Sequence, residues 1–78
     1  MNNLGYYYRY IEKNYGKMKK YYLMAIELDN DISMNNLGCY YRDIEKNYED
    51  MKKYYLMAVK LNHVGAMCNL GFYYHKNR

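Results

Sequence analysis

Proline and tryptophan are missing from the sequence, phenylalanine and serine occur once each, and there are only two cysteines. Cys39 and Cys68 form neither a disulfide framework nor a C-x-x-C metal pattern, so no cofactor or structural metal is expected. No apolar run approaches the roughly 18 residues that a bilayer-spanning helix needs. No signal-peptide core follows Met1. Like charges never gather in a block of five or more, and 12 basic against 8 acidic residues leave a mild net charge of +4. A nucleic-acid or membrane tail is therefore not indicated. The lone Ser33 has no nucleophile constellation around it, and no pair of carboxylates is fixed by a pocket. Together these absences exclude a catalytic reading and leave a soluble intracellular, cytoplasmic, non-enzymatic protein as the expectation.

What the chain has instead is tyrosine, asparagine, lysine and methionine. There are 14 tyrosines in 78 residues. An AT-rich gene produces the same bias, so the tyrosine count is not itself a functional signal. Order is the signal. M-N-N-L-G begins at Met1 and again at Met34, and M-C-N-L-G begins at Met67, so the spacing is 33 residues each time. Between residues 1–33 and 34–66, 22 of 33 positions are identical. A fixed period in this range marks a stacked repeat whose single unit cannot bury its apolar face alone. The chain then reads as one domain, 1–78, holding repeat one (1–33), repeat two (34–66) and a partial repeat three (67–78).

Within repeat one, Leu4, Tyr8 and Ile11 recur at helical spacing, which predicts a first helix over about 1–11. Gly5 sits inside it, where glycine costs about 1 kcal/mol against alanine. Gly38 and Gly71 recur at the same place, so a close approach by a second helix is expected across each glycine. Asn14 and Asn47 are expected N-caps of that second helix. Asp50, three residues after Asn47, completes a variant of the capping box. Met18, Tyr22 and Ala25 give the second helix its buried face, with Ile26 and Leu23 opening another side toward the next repeat. The pairs Lys19–Lys20 and Lys52–Lys53 are expected on the solvated outer surface. Asp29, Asn30 and Asp31 form the first inter-repeat joint, and Asn62–His63 the second. A further first-type helix is expected over about Val64–His75. The fold expected is all-α: five helices, a right-handed α-solenoid of antiparallel helical hairpins, about 2.5 repeats of 33 residues.

The pattern L-G-x-Y-Y followed by M-K-K-Y-Y-L-M-A resembles the Sel-one-like repeats and the related tetratricopeptide repeats. Leu37, Gly38 and Tyr41 match the first helix of that pattern, and Met51, Tyr55 and Ala58 the second. The joint inside the hairpin is one residue longer than in a tetratricopeptide unit. The glycine-rich turn usual in Sel-one-like units and the closing proline are both absent. The Asn-, Tyr- and Lys-rich wording is also similar to tandem-repeat proteins of giant DNA viruses of amoebae, which would place the chain in a host cytoplasm.

That resemblance implies that first-type helices line a concave face. The outward positions there are Asn2, Tyr6, Arg9 and Tyr10, then Asn35, Cys39, Arg42 and Asp43, then Cys68, Phe72, His75 and Lys76. Tyr6/Cys39/Phe72 and Tyr10/Asp43/Lys76 vary between copies, while the adjoining Leu-Gly and Tyr-Tyr do not. A peptide- or protein-binding groove is expected on this ladder. Arg9 and Arg42 would present guanidinium forks to carboxylates, the asparagines would reach backbone, and Tyr6 and Phe72 would give apolar contact. Cys39, Cys68 and His75 fall on adjacent helices but offer only three ligands, too few to read as a zinc site. Two alternatives stand beside the groove. One is binding of single-stranded RNA by stacked tyrosines with interspersed cations. The other is a purely structural role as a fragment of a longer array, or in end-to-end self-association, because neither end carries a polar capping helix.

Overall fold

A computed structural model describes residues 2–76, the side chains of Asn2, Asn3, Leu4 and Tyr6 excepted. Five α-helices follow one another: α1 (Asn2–Tyr10), α2 (Tyr15–Ile26), α3 (Asp31–Tyr40), α4 (Tyr48–Lys60) and α5 (Val64–Lys76). One π turn, Tyr41–Glu45, prolongs α3. No strand occurs among the described residues. Each helix packs against the next in sequence, most extensively within the pairs α1–α2 and α3–α4, and α1 also touches α3.

Asparagine starts the helices. The side chain of Asn14 accepts from the Lys17 N–H at 3.2 Å, that of Asn30 from Ser33 at 3.0 Å, and that of Asn47 from Asp50 at 3.3 Å. Each bond satisfies one of the donors that a helix N-terminus leaves free. Asn47 Nδ2 also donates to Asp50 Oδ2 at 2.9 Å; this side-chain bond replaces the reciprocal half of the expected capping box, because the Asn47 backbone N–H goes to Tyr41 O instead. Left-handed residues stop the helices. Asp29 (φ 59°) and Asn62 (φ 63°) close α2 and α4. Behind Asp29, the Asn30 N–H reaches Ala25 O and the Asp29 N–H reaches Ile26 O; behind Asn62, His63 and Asn62 reach Ala58 O and Val59 O in the same way. Both are Schellman ends, built on the two side chains besides glycine that tolerate this backbone best. Inside the hairpins the left-handed position falls to Lys13 and Lys46.

Packing explains the glycines. A Cβ on Gly38 would stand 2.6 Å from Tyr55 Cδ1, and one on Gly5 would overlap the Tyr22 ring. The missing side chain is therefore the seat of a tyrosine from the following helix. Met18, Tyr22 and Ala25, like Met51, Tyr55 and Ala58, are fully buried or nearly so. All of these but Ala25 join Leu37, Met34, Tyr40, Ala66 and Leu70 in one core. Burying a side chain of this size contributes about 1.5–3 kcal/mol, so the core runs across the copies and belongs to none of them separately.

Contacts recur in matched pairs. Tyr8 stacks on Tyr21 with centroids 5.6 Å apart, and Tyr41 on Tyr54 at 5.7 Å. Tyr15 meets Tyr40 at 5.3 Å, and Tyr48 meets Tyr73 at 5.5 Å. Each residue in the second pair lies 33 positions after its counterpart. Lys19 lies at the solvated surface but is not free there. Its ammonium pairs with Glu45 at 2.5 Å and lies over the Tyr40 and Tyr41 rings. That pairing holds the Glu45 carboxyl below its ordinary range, with the Tyr40 hydroxyl as second cause. At the joints, His63 Nδ1 meets Asp31 Oδ2 at 2.8 Å, tying the start of α3 to the start of α5.

Candidate binding groove

A groove of about 400 Å³ opens where the π turn, the first residue of α4 and the last turns of α5 converge. Arg42 and Asp43 form one wall. Arg42 Nε donates to Asp43 Oδ1 at 2.7 Å and Nη2 to Oδ2 at 3.1 Å. This bidentate pair holds the Asp43 carboxyl below its ordinary value and Arg42 above its own. The floor is aromatic, from Tyr48, Tyr73 and Phe72, the last of which is 65 % exposed. Lys46 and Lys76 complete the rim. Neither has an acidic partner among the described residues. With Arg42 and Asp43 cancelling, the groove carries an excess of two positive charges above an apolar floor.

The matching place one copy earlier is closed. Arg9 stands where Arg42 does, but it is only 7 % exposed. Its Nη1 donates to Asn36 O at 3.3 Å, its Nη2 lies 3.7 Å from Asp43, and its guanidinium covers the Tyr10 ring. The expectation of an outward Arg9 is corrected here: a backbone carbonyl and a carboxylate from the next copy draw the guanidinium inward. Asp43 supplies that carboxylate, and the residue at its place in the third copy is Lys76. The acid that closes the first junction is thus a base at the second.

Of the other expected ladder residues, Asn2 and Tyr6 lie outside the described side chains. Arg42, Asp43 and Phe72 come together in the groove. Tyr10 is exposed beside Arg9. Asn35 accepts from Asn69 Nδ2 at 3.0 Å. Cys39 Sγ accepts from the Tyr55 hydroxyl at 3.1 Å, and burial pushes the Tyr55 phenol up. His75 and Cys68 are exposed. No three His, Cys, Asp or Glu side chains among the described residues are placed to hold a metal ion. Lys46, Tyr48, Asn69 and Tyr73 are groove residues that the ladder omitted. Lys46 and Tyr48 are identical to their counterparts Lys13 and Tyr15, so a search for variable positions passes over them. Among the described residues, no helix is long and apolar enough to cross a membrane.

No family model, curated protein or solved structure matches the chain.

Proposed function

We propose that the chain is a non-enzymatic interaction module: a right-handed stack of 33-residue helical hairpins of the Sel-one-like or tetratricopeptide kind. Its first-type helices α1, α3 and α5 would present a concave face to a partner protein. Two features support the stack, namely the tyrosine contacts that recur at the repeat spacing and the repeated asparagine caps. The guest is a peptide segment with an acidic side chain next to an apolar one. One observation carries this reading. At the first junction a carboxylate from within the chain, Asp43, approaches Arg9; at the second junction the chain supplies Lys76 instead. A partner's carboxylate restores the missing negative charge between Lys46 and Lys76, and its apolar neighbour covers Phe72.

Fluorescence anisotropy with labelled Asp/Glu- and Leu-containing peptides tests the reading. Lys46→Glu with Lys76→Glu should abolish capture that the native chain shows, and added salt should weaken it. Equal capture by the folded double variant removes the reading. Single-stranded RNA is the competing guest, but the net charge of +4 is mild for it, and several of the tyrosine rings already carry a lysine. Lys17 lies over Tyr8, Lys20 over Tyr21 and Lys53 over Tyr54.

A further inference from the structure

Among the described residues, the third glycine of the series has no occupant. A Cβ on Gly71 would meet nothing within 4 Å, whereas one on Gly38 would press into Tyr55 and one on Gly5 into Tyr22. The surrounding face of α5 is open in the same register. Met67 is 41 % exposed where its counterpart Met34 is 3 %. Tyr74 is 51 % exposed, while its counterparts Tyr8 and Tyr41 are half-buried beneath stacked tyrosines. Met67, Gly71 and Tyr74 fall at i, i+4 and i+7, one stripe of the helix.

We infer that this stripe of α5 is a docking site for a helix that carries Met-x-x-Tyr-Tyr-x-x-Ala. The two filled seats define the occupant. In α4, Met51, Tyr55 and Ala58 are buried against the preceding helix, Tyr55 rests on Gly38, and Tyr54 stacks on Tyr41. In α2, Met18, Tyr22, Ala25 and Tyr21 do the same against α1. A helix with this spacing would set one ring on Gly71, stack the preceding ring on Tyr74 and cover Met67. A second copy of the chain cannot supply it without unfolding, because its own α2 and α4 already use those side chains. The inference rests on the glycine–tyrosine contact and stands whether or not the lysine groove binds an acidic peptide.

The probe is a labelled synthetic peptide with the sequence of residues 47–61, titrated against the full chain. A second peptide replaces the seat tyrosine with alanine, and the protein variant is Gly71→Ala. That variant folds at least as well as the native chain, since nothing lies near the new methyl. The native peptide should bind the native chain. Removing the tyrosine, or filling the seat through Gly71→Ala, should weaken binding at least about tenfold, the factor that ~1.4 kcal/mol of lost fit gives. Absence of binding, or equal binding by either altered partner, overturns the inference. Equal binding by Gly71→Ala would mean that the peptide displaces the chain's own α4. Sedimentation of the chain alone at several concentrations gives the last outcome: a dimer that Gly71→Ala dissolves assigns the stripe to a second copy and also overturns it. Acidic-peptide capture, measured on the same Gly71→Ala protein, keeps failure here distinct from failure of the groove.

Discussion

Adding one methyl group should have opposite effects at two positions that the sequence presents as equivalent. Gly38 and Gly71 both lie inside helices, and replacing an interior glycine with alanine ordinarily stabilises by about 1 kcal/mol. At Gly71 that gain stands, because a Cβ meets open space. At Gly38 the new Cβ would be 2.6 Å from Tyr55 Cδ1, 2.7 Å from Cε1 and 3.2 Å from Cγ. Ordinary carbon–carbon contact lies near 3.5–4.0 Å, so the ring would have to retreat by roughly 1 Å. It has no room to do so, being fully buried with its hydroxyl held on Cys39. Overpacking of this kind costs about 1–3 kcal/mol. With three ring atoms in conflict we take the upper end and subtract the helical gain, leaving a net loss of about 2 kcal/mol. For a domain of this size that lowers the Tm by roughly 8–16 °C. Urea and thermal unfolding followed by circular dichroism at 222 nm would measure both variants. Gly71→Ala should melt a few degrees above the native chain and Gly38→Ala well below it. A Gly38→Ala protein as stable as the native one would refute the tyrosine seat.

Three further outcomes are expected. Glu45 is held below its ordinary value of 4.5 by Lys19 and Tyr40, so below pH 4.5 the unfolded chain binds more protons than the folded one and stability falls with pH. Above pH 4.5 the contribution is complete. Glu45→Gln should flatten that acid limb in urea melts taken from pH 6 to pH 3, and an unchanged slope would contradict the pairing. Asn47→Ala removes both the cap of α4 and the partner of Asp50, and should cost about 1–2 kcal/mol by chemical denaturation. Lys13→Gly should raise stability by about 1 kcal/mol, because a side chain at φ 54° carries a steric penalty that glycine lacks; a loss instead would show that the lysine side chain contributes more than its backbone strain costs.

The sequence revealed more of the helices than of the surface. Helix starts at Asn14 and Asn47, the buried series Met18–Tyr22–Ala25 and the role of Gly5 and Gly38 as close approaches were all legible. Each depends on local spacing, which the duplicated copies print twice. Arg9 was not legible. Its fate is set by the backbone carbonyl of Asn36 and the carboxylate of Asp43, which only folding brings near. The partner of Lys19 was not legible for a related reason: its ammonium sits at the end of a long stem and reaches Glu45 in the next copy. Tyr74 reads like Tyr8 and Tyr41, yet it is exposed, because among the described residues no tyrosine from a following helix stacks on it as Tyr21 and Tyr54 do on its counterparts. The groove was half legible. Asp43 and Phe72 were found through variation between copies and Arg42 through its outward place on the ladder, whereas Lys46 and Tyr48 are the same in both full copies and gave no contrast.

All four joints turn on a single left-handed residue, Lys13, Asp29, Lys46 or Asn62, and the bonds that close each one come from the immediate neighbours along the chain. A turn that carries its own instructions survives being moved. Duplication or slippage in the gene at multiples of 99 nucleotides would insert or delete whole hairpins without spoiling the bends on either side. Copy number can then drift freely, and selection would act on the faces that hairpins show each other, as in the glycine–tyrosine contact, more than on the bends between them.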